Sequence, residues 1–174
     1  MNLYDLHPNP KKAPYYKQRF EIPSVAYEEA VKQAKVKRGI RSRSPNLESI
    51  IAKDPRSAYR YALNIIEGRW PEGEPAIARS PVWSYRYANY VIEQRFPEGE
   101  SVIATDPEHA YAYALNIIKN DWPEAEPAIA TDSQWAYLYA TRVLHRRFIK
   151  GEPQIAKDRD YADLYEYKLS LIHI

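Results

Sequence analysis

The sequence predicts an all-α fold, an α-solenoid of short units that each hold one long and one short helix, on three observations. Ile-Ala pairs at Ile51-Ala52, Ile77-Ala78, Ile103-Ala104, Ile129-Ala130 and Ile155-Ala156 stand 26 residues apart. Self-similarity at such a spacing marks a stack of units, each burying its apolar face against its neighbours. Units open on a capping residue followed by proline, at Asp54-Pro55, Ser80-Pro81 and Asp106-Pro107, the usual way of writing a helix start. Asp132 and Asp158 keep the cap without the proline. A second proline in each of three units, Pro71, Pro97 or Pro123, disfavours helical geometry in the residue before it.

Taken in chain order, residues 1–22 read as an extended N-terminal arm, with Pro8, Pro10 and Pro14 set among Lys11 and Lys12. The solenoid is expected over residues 23–168. Its first unit, 23–50, is divergent: Pro23 through Tyr27 echoes Pro55 through Tyr59 at a spacing six residues longer than the period. Gly39 offers a stop for its long helix, and Ser44-Pro45 starts its short one. Complete units begin at 51, 77, 103 and 129, and a truncated one at 155.

Within the unit that begins at 51, Ala58, Tyr61, Ala62 and Ile65 share one helical stripe, while Tyr59, Leu63, Ile66 and Trp70 share the adjacent one. Two stripes suit a helix covered on both flanks. The long helix is expected to reach Arg69-Trp70, and residues 71–78 leave room for a short α or 3₁₀ turn anchored by Ile77.

Aligned by the period, three aromatic columns emerge: Tyr59, Tyr85, Tyr111, Tyr137; Tyr61, Tyr87, Tyr113, Tyr139, Tyr165; and Trp70, Phe96, Trp122, Phe148. They read as core between units, with tyrosine hydroxyls reaching water or a backbone carbonyl. A carboxylate column, Glu48, Glu74, Glu100, Glu126 and Glu152, reads as compensation of a helix dipole or as bonding to a neighbour's tyrosine. A 52-residue alternation overlies the period: Trp83 pairs with Trp135, Val91 with Val143 and Arg95 with Arg147.

At the C-terminus Asp163 and Glu166 break columns that are aromatic or apolar before them. Residues 169–174, Leu-Ser-Leu-Ile-His-Ile, resemble a translated sequencing adapter. That resemblance implies a non-native tail on a chain cut within a repeat; an apolar cap is the alternative.

Composition excludes several function classes. With no cysteine, disulfides, thiolate metal sites and cysteine nucleophiles are ruled out. The four histidines, His7, His109, His145 and His173, share no column and no metal-ligand spacing. Neither a phosphate loop nor a nucleophile elbow is present. No catalytic residue, metal ligand or cofactor site is therefore assigned, and a noncatalytic protein is expected. No run reaches the roughly 18 apolar residues of a membrane span, and the N-terminus lacks the pattern of a signal peptide. The expectation is a cytoplasmic, unsecreted, monomeric protein without a membrane partner.

Binding residues are sought where the units differ. Positions outside the core columns bring forward Trp83, Arg86, Tyr90, Trp135 and Arg142, of the residue types that dominate protein-protein hot spots. The two tryptophans can also be read as wedges between adjacent helices. Nucleic-acid binding is the alternative function. Lys32, Lys35, Lys37, Arg38, Arg41 and Arg43 form a basic run in which residues 30–47 hold no acid, suited to neutralising phosphates. The chain from Ile51 onward is net acidic, which disfavours a continuous nucleic-acid groove. A purely structural spacer is a third reading.

The string Ala58-Tyr59-Arg60-Tyr61-Ala62, with Arg69-Trp70-Pro71-Glu72-Gly73-Glu74 after it, resembles 26-residue tandem α-repeats in proteins of bacteriophages, giant viruses and environmental sequence collections. In pattern the unit is also similar to leucine-rich variant repeats, which alternate a long and a short helix. The resemblance implies a repeat architecture over residues 23–168 and no particular activity.

Overall fold

The computed structural model describes residues 22–36 and 43–172. Among them, all regular structure is helical. Helix α1 (Pro23–Val36) is followed by α2 (Pro45–Ile51), α3 (Pro55–Tyr61), α4 (Glu74–Ile77), α5 (Pro81–Tyr87) and α6 (Pro97–Ile103). The chain continues through α7 (Pro107–Tyr113), α8 (Glu126–Ile129), α9 (Ser133–Tyr139), α10 (Glu152–Ile155) and α11 (Arg159–Ile172). Alternate helices pack in chain order, α3 against α1 and α5, then α5 against α7, and helix α9 against α7 and α11.

Caps form where acids stand at the helix start. Asp54 accepts from the Ser57 N–H at 2.8 Å, Asp106 from His109 at 3.0 Å and Asp132 from Trp135 at 3.1 Å, each worth about 1 kcal/mol. Ser80, at the same place before α5, makes no such bond. The packed faces are those of the two expected stripes. Tyr61, Tyr87, Tyr113 and Tyr139 are wholly buried, as are Ile51, Ile77, Ile103 and Ile129. Burying a side chain of that size contributes about 1.5–3 kcal/mol, an upper value because the unfolded chain already covers part of it.

The long helices end sooner than the prolines suggest. After α3 the chain widens into a π-helical turn, Ala62–Ile66, and stops at Glu67, whose φ of 57° is left-handed. The same ending recurs at Ala88–Ile92 with Glu93, Ala114–Ile118 with Lys119, and Ala140–Leu144 with His145. In each, the N–H of the left-handed residue bonds the alanine carbonyl five residues back. Holding a side chain in that conformation costs about 1–2 kcal/mol. The reversal it produces returns Trp70, Phe96, Trp122 and Phe148 to the tyrosine of their own unit, with ring centroids 4.9, 5.1, 5.1 and 5.2 Å apart. Edge-to-face and tilted pairs at such distances add about 0.5–1.5 kcal/mol beyond burial, which offsets much of the strain. Pro71, Pro97 and Pro123 thus follow a helix already closed.

One described region departs from this pattern. Helix α11 stays α-helical through Ile172, with no π turn, and exposed Glu166 stands where Ala62, Ala88, Ala114 and Ala140 are buried. Leu169, first residue of the adapter-like stretch, lies within α11 and packs against the core. At the other end, the arm expected over residues 1–22 and the stop expected at Gly39 fall outside the described residues, apart from exposed Ile22.

Candidate partner-binding face

Of the five candidate residues, the structure separates two that wedge between helices from three that are exposed. Trp83, on the first turn of α5, is half-buried, and its ring lies 5.3 Å from that of Tyr59 on α3. Trp135, in the same place on α9, lies 5.6 Å from Tyr111 on α7. These two contacts account for the tryptophans of the 52-residue alternation. Tyr59 and Tyr111, covered by tryptophan, are buried, whereas Tyr85 and Tyr137, facing His109 and Tyr161, are only half-buried. Burial pushes up the pKa of Tyr59 and Tyr85, so both hydroxyls stay neutral at physiological pH.

Arg86, Tyr90 and Arg142 are exposed. The Arg86 guanidinium lies 5.1 Å above the Trp83 ring, within cation-π range. Tyr90 sits in the π turn after α5 and is 56 % exposed. Trp83 and Arg86 thus form one aromatic and cationic pair, and Tyr90 stands exposed four residues beyond Arg86, in the π turn that continues the same helix. Arg142 occupies the equivalent of Tyr90 in the π turn after α9, two units on, where Leu138 replaces Arg86. The π turns that place Tyr90 and Arg142 have no signal in helical periodicity, though each begins on an alanine of the repeat.

The carboxylate column acts between neighbouring helices. The Tyr61 hydroxyl accepts from the Ser44 N–H at 2.9 Å and donates to Glu48 Oε1 at 2.8 Å, and Glu48 is gripped by the Arg43 fork at 2.9 and 2.8 Å. Equivalent sets join Tyr87, Trp70, Glu74 and Arg69; Tyr113, Phe96, Glu100 and Arg95; and Tyr165, Phe148, Glu152 and Arg147. The hydroxyls meet a backbone N–H in place of the water or carbonyl expected, and a carboxylate, as the alternative reading of the glutamate column has it. Hydrogen bonds from their arginines hold Glu48, Glu100 and Glu152 below the usual carboxylate range. Burial raises the tyrosines, Tyr139 to about 12.

Arg43, from the basic run, therefore has a structural partner, with its side chain still half-exposed. Lys32 is exposed and stands 3.9 Å from Glu29. Lys35 lies on α1 with its side chain outside the described residues, as are Lys37, Arg38 and Arg41 entirely. Among the described residues, no group of three or more His, Asp or Glu side chains could hold a metal ion, and no helix is long and apolar enough to cross a membrane. Compared with protein-family models, curated proteins and solved structures, the chain matches none of them.

Proposed function

We propose that the chain is an α-solenoid of 26-residue units that works as a noncatalytic scaffold, binding a protein partner through the outer face of its long helices. The solenoid reading is supported by packing in chain order and by the tyrosine, carboxylate and backbone contact repeated from unit to unit. One observation carries the binding reading. The interior aromatics are spent on core contacts, yet Tyr90 stands 56 % exposed four residues along the helical run from Arg86, which lies over the half-covered Trp83. Aromatic and arginine side chains presented together on a rigid helix are the usual anchors of an interface.

Trp83 and Trp135 are poor probes of this proposal, since truncating them uncovers Tyr59 and Tyr111 and weakens the fold. Tyr90 and Arg142 can be changed cleanly. A photo-crosslinking residue at position 90 or 142 should label a discrete protein in extracts of the source cells, while one at Lys53 or Arg79 should not. Tyr90→Ala with Arg86→Ala should keep the melting temperature and remove the product formed from position 142. Labelled nucleic acid in place of protein, or equal labelling from all four positions, would overturn the reading.

A further inference from the structure

Charge is sorted between the helices and their connections. The chain from Ile51 onward is net acidic, yet α3, α5, α7 and α9 with the π turns that continue them hold Arg56, Arg60, Arg86 and Arg142 against a single acid, Glu108. No lysine stands in these segments. Arg60 is engaged, its guanidinium 4.1 Å above the Tyr27 ring and 3.4 Å from Glu28 of α1. In the connections, Arg43, Arg69, Arg95, Arg146 and Arg147 each hold a carboxylate. Arg56, Arg86 and Arg142 are exposed, and among the described residues none of the three has an ion-pair partner. Guanidiniums without a counter-charge on one face favour an anionic partner, and the planar fork of arginine suits carboxylates.

Register gives their spacing. Arg86 stands four residues further along its unit than Arg56, and Arg142 four further than Arg86, two units on. The three lie on one oblique line across α3, α5 and the end of α9, with α7 packed between the last two. Neighbouring helices stand about 9 Å apart and one turn rises about 5.4 Å, so the steps are about 10 Å and about 19 Å. An extended chain at about 3.3 Å per residue spans them in about three and about six residues. The middle of the longer step is apolar: where Arg60 and Arg86 stand, α7 has Ala112 and α9 has Leu138, both half-buried. One turn earlier, α7 exposes Glu108, which repels an acid held there.

We propose that this face takes an acidic protein segment in extended form. Three of its carboxylates pair with Arg56, Arg86 and Arg142, and apolar residues in the longer gap cover Ala112 and Leu138. The inference rests on the protein-binding reading of the same face and names the chemistry of its partner. A nucleic-acid strand is the poorer fit. Its phosphates recur at every nucleotide, so they meet Glu108 between the arginines and the acids of the connections beyond them.

The probe is a displayed library of random peptides about 15 residues long, enough for both gaps at about 3.3 Å per residue, selected against the full chain at low salt. Enriched peptides are expected to carry acids at those spacings around apolar residues and to lose affinity in molar salt. Arg86→Ala and Arg142→Ala should each weaken the best of them at least about tenfold, as for an anchor residue. Arg142→Ala stands on its own should Arg86→Ala, by uncovering Trp83, disturb the fold. Glu108→Gln should strengthen, severalfold, peptides with an acid in the longer gap. Enrichment of uncharged or basic peptides, or of none, overturns the proposal. So does a labelled single-stranded oligonucleotide that displaces the enriched peptides and depends on both arginines. The two levels separate by site: non-acidic peptides that still block crosslinking from positions 90 and 142 sink only the acidic chemistry. Enriched peptides indifferent to Arg86→Ala, Arg142→Ala and Tyr90→Ala sink the binding face as well.

Discussion

The junction around Asp121 and the junctions around Arg43, Arg69, Arg95 and Arg147 solve the same problem with opposite charges. In the arginine type, the guanidinium and the glutamate it grips are five residues apart, as in Arg95 to Glu100 with both bonds at 2.7 Å. Arg43 and Arg69 also approach Glu72 and Glu98 of the next unit, at 3.6 and 3.7 Å. At position 121 the arginine is an aspartate, and the cations come from the next unit: Arg146 reaches Asp121 at 2.8 Å, and Lys150 reaches Glu126 at 2.7 Å. Lys150 replaces the glutamate found at Glu72, Glu98 and Glu124. One bond is common to both types. Tyr139 still accepts from the Trp122 N–H at 2.7 Å, as its counterparts do from Ser44, Trp70, Phe96 and Phe148. A buried N–H must find an acceptor, so the tyrosine is the fixed part of the junction, whereas a partly exposed ion pair can be inverted if both signs change together.

The largest effect should come from removing that hydroxyl. Tyr87→Phe leaves the buried Trp70 N–H without its acceptor and takes a donor from Glu74, for a loss of about 3 kcal/mol. Tyr139→Phe leaves only the Trp122 N–H unmatched, for a loss of about 2 kcal/mol. Urea denaturation followed by circular dichroism measures both. Equal losses would show that the carboxylate bond adds nothing and that the two junction types differ in charge alone.

A smaller difference lies behind the aromatic residue. Gly73 and Ala125 precede short helices α4 and α8 with nearly the same backbone, φ −90° and −92°, so neither needs glycine's conformational freedom. Space decides: a Cβ on Gly73 would lie 2.3 Å from the Trp70 ring. Beside Ala125, the Trp122 ring meets its tyrosine at 42°, against 55° for Trp70. Gly73→Ala should therefore destabilise by about 2 kcal/mol through overpacking, and Ala125→Gly by well under that, about 0.5–1 kcal/mol. A neutral Gly73→Ala would mean that Trp70 can adopt the Trp122 tilt without cost.

Much of this is legible in the sequence. The period set the tyrosine and isoleucine columns, and those residues are buried; Asp54, Asp106 and Asp132 announced their helix starts. Trp83 and Trp135 carried both a core and a surface reading, and spacing alone could not choose, since their half-burial depends on the Tyr59 and Tyr111 rings of the preceding unit. The π turns were hidden because a helix of either kind presents the same stripes over one turn, and because Glu67, Glu93, Lys119 and His145 hold a left-handed conformation that normally favours glycine or asparagine. The arginine column lies in the connecting segments, where helical periodicity does not say which way a side chain reaches, and only the fold brings Arg43, Arg95 and Arg147 onto the glutamate five residues on.

The smallest effect is the most specific test of the comparison. Asp121→Arg alone sets a third cation beside Arg146 and Lys150, and Lys150→Glu alone sets an acid beside Glu126. Each should lower the melting temperature by about 1–3 °C, the scale of an exposed ion pair in a chain of this length. Together they rebuild an arginine junction, with position 121 placed to grip Glu126 as Arg95 grips Glu100 and to face position 150 as Arg69 faces Glu98. The double variant should therefore melt nearer the parent than either single one, because residues that share partners do not add. The recovery should fade in molar salt, where screening shortens the reach of partly exposed charges to about 3 Å. Additive losses would mean that Arg146, which the double variant leaves without Asp121, matters more than the charge order, and that the two junction types are not interchangeable.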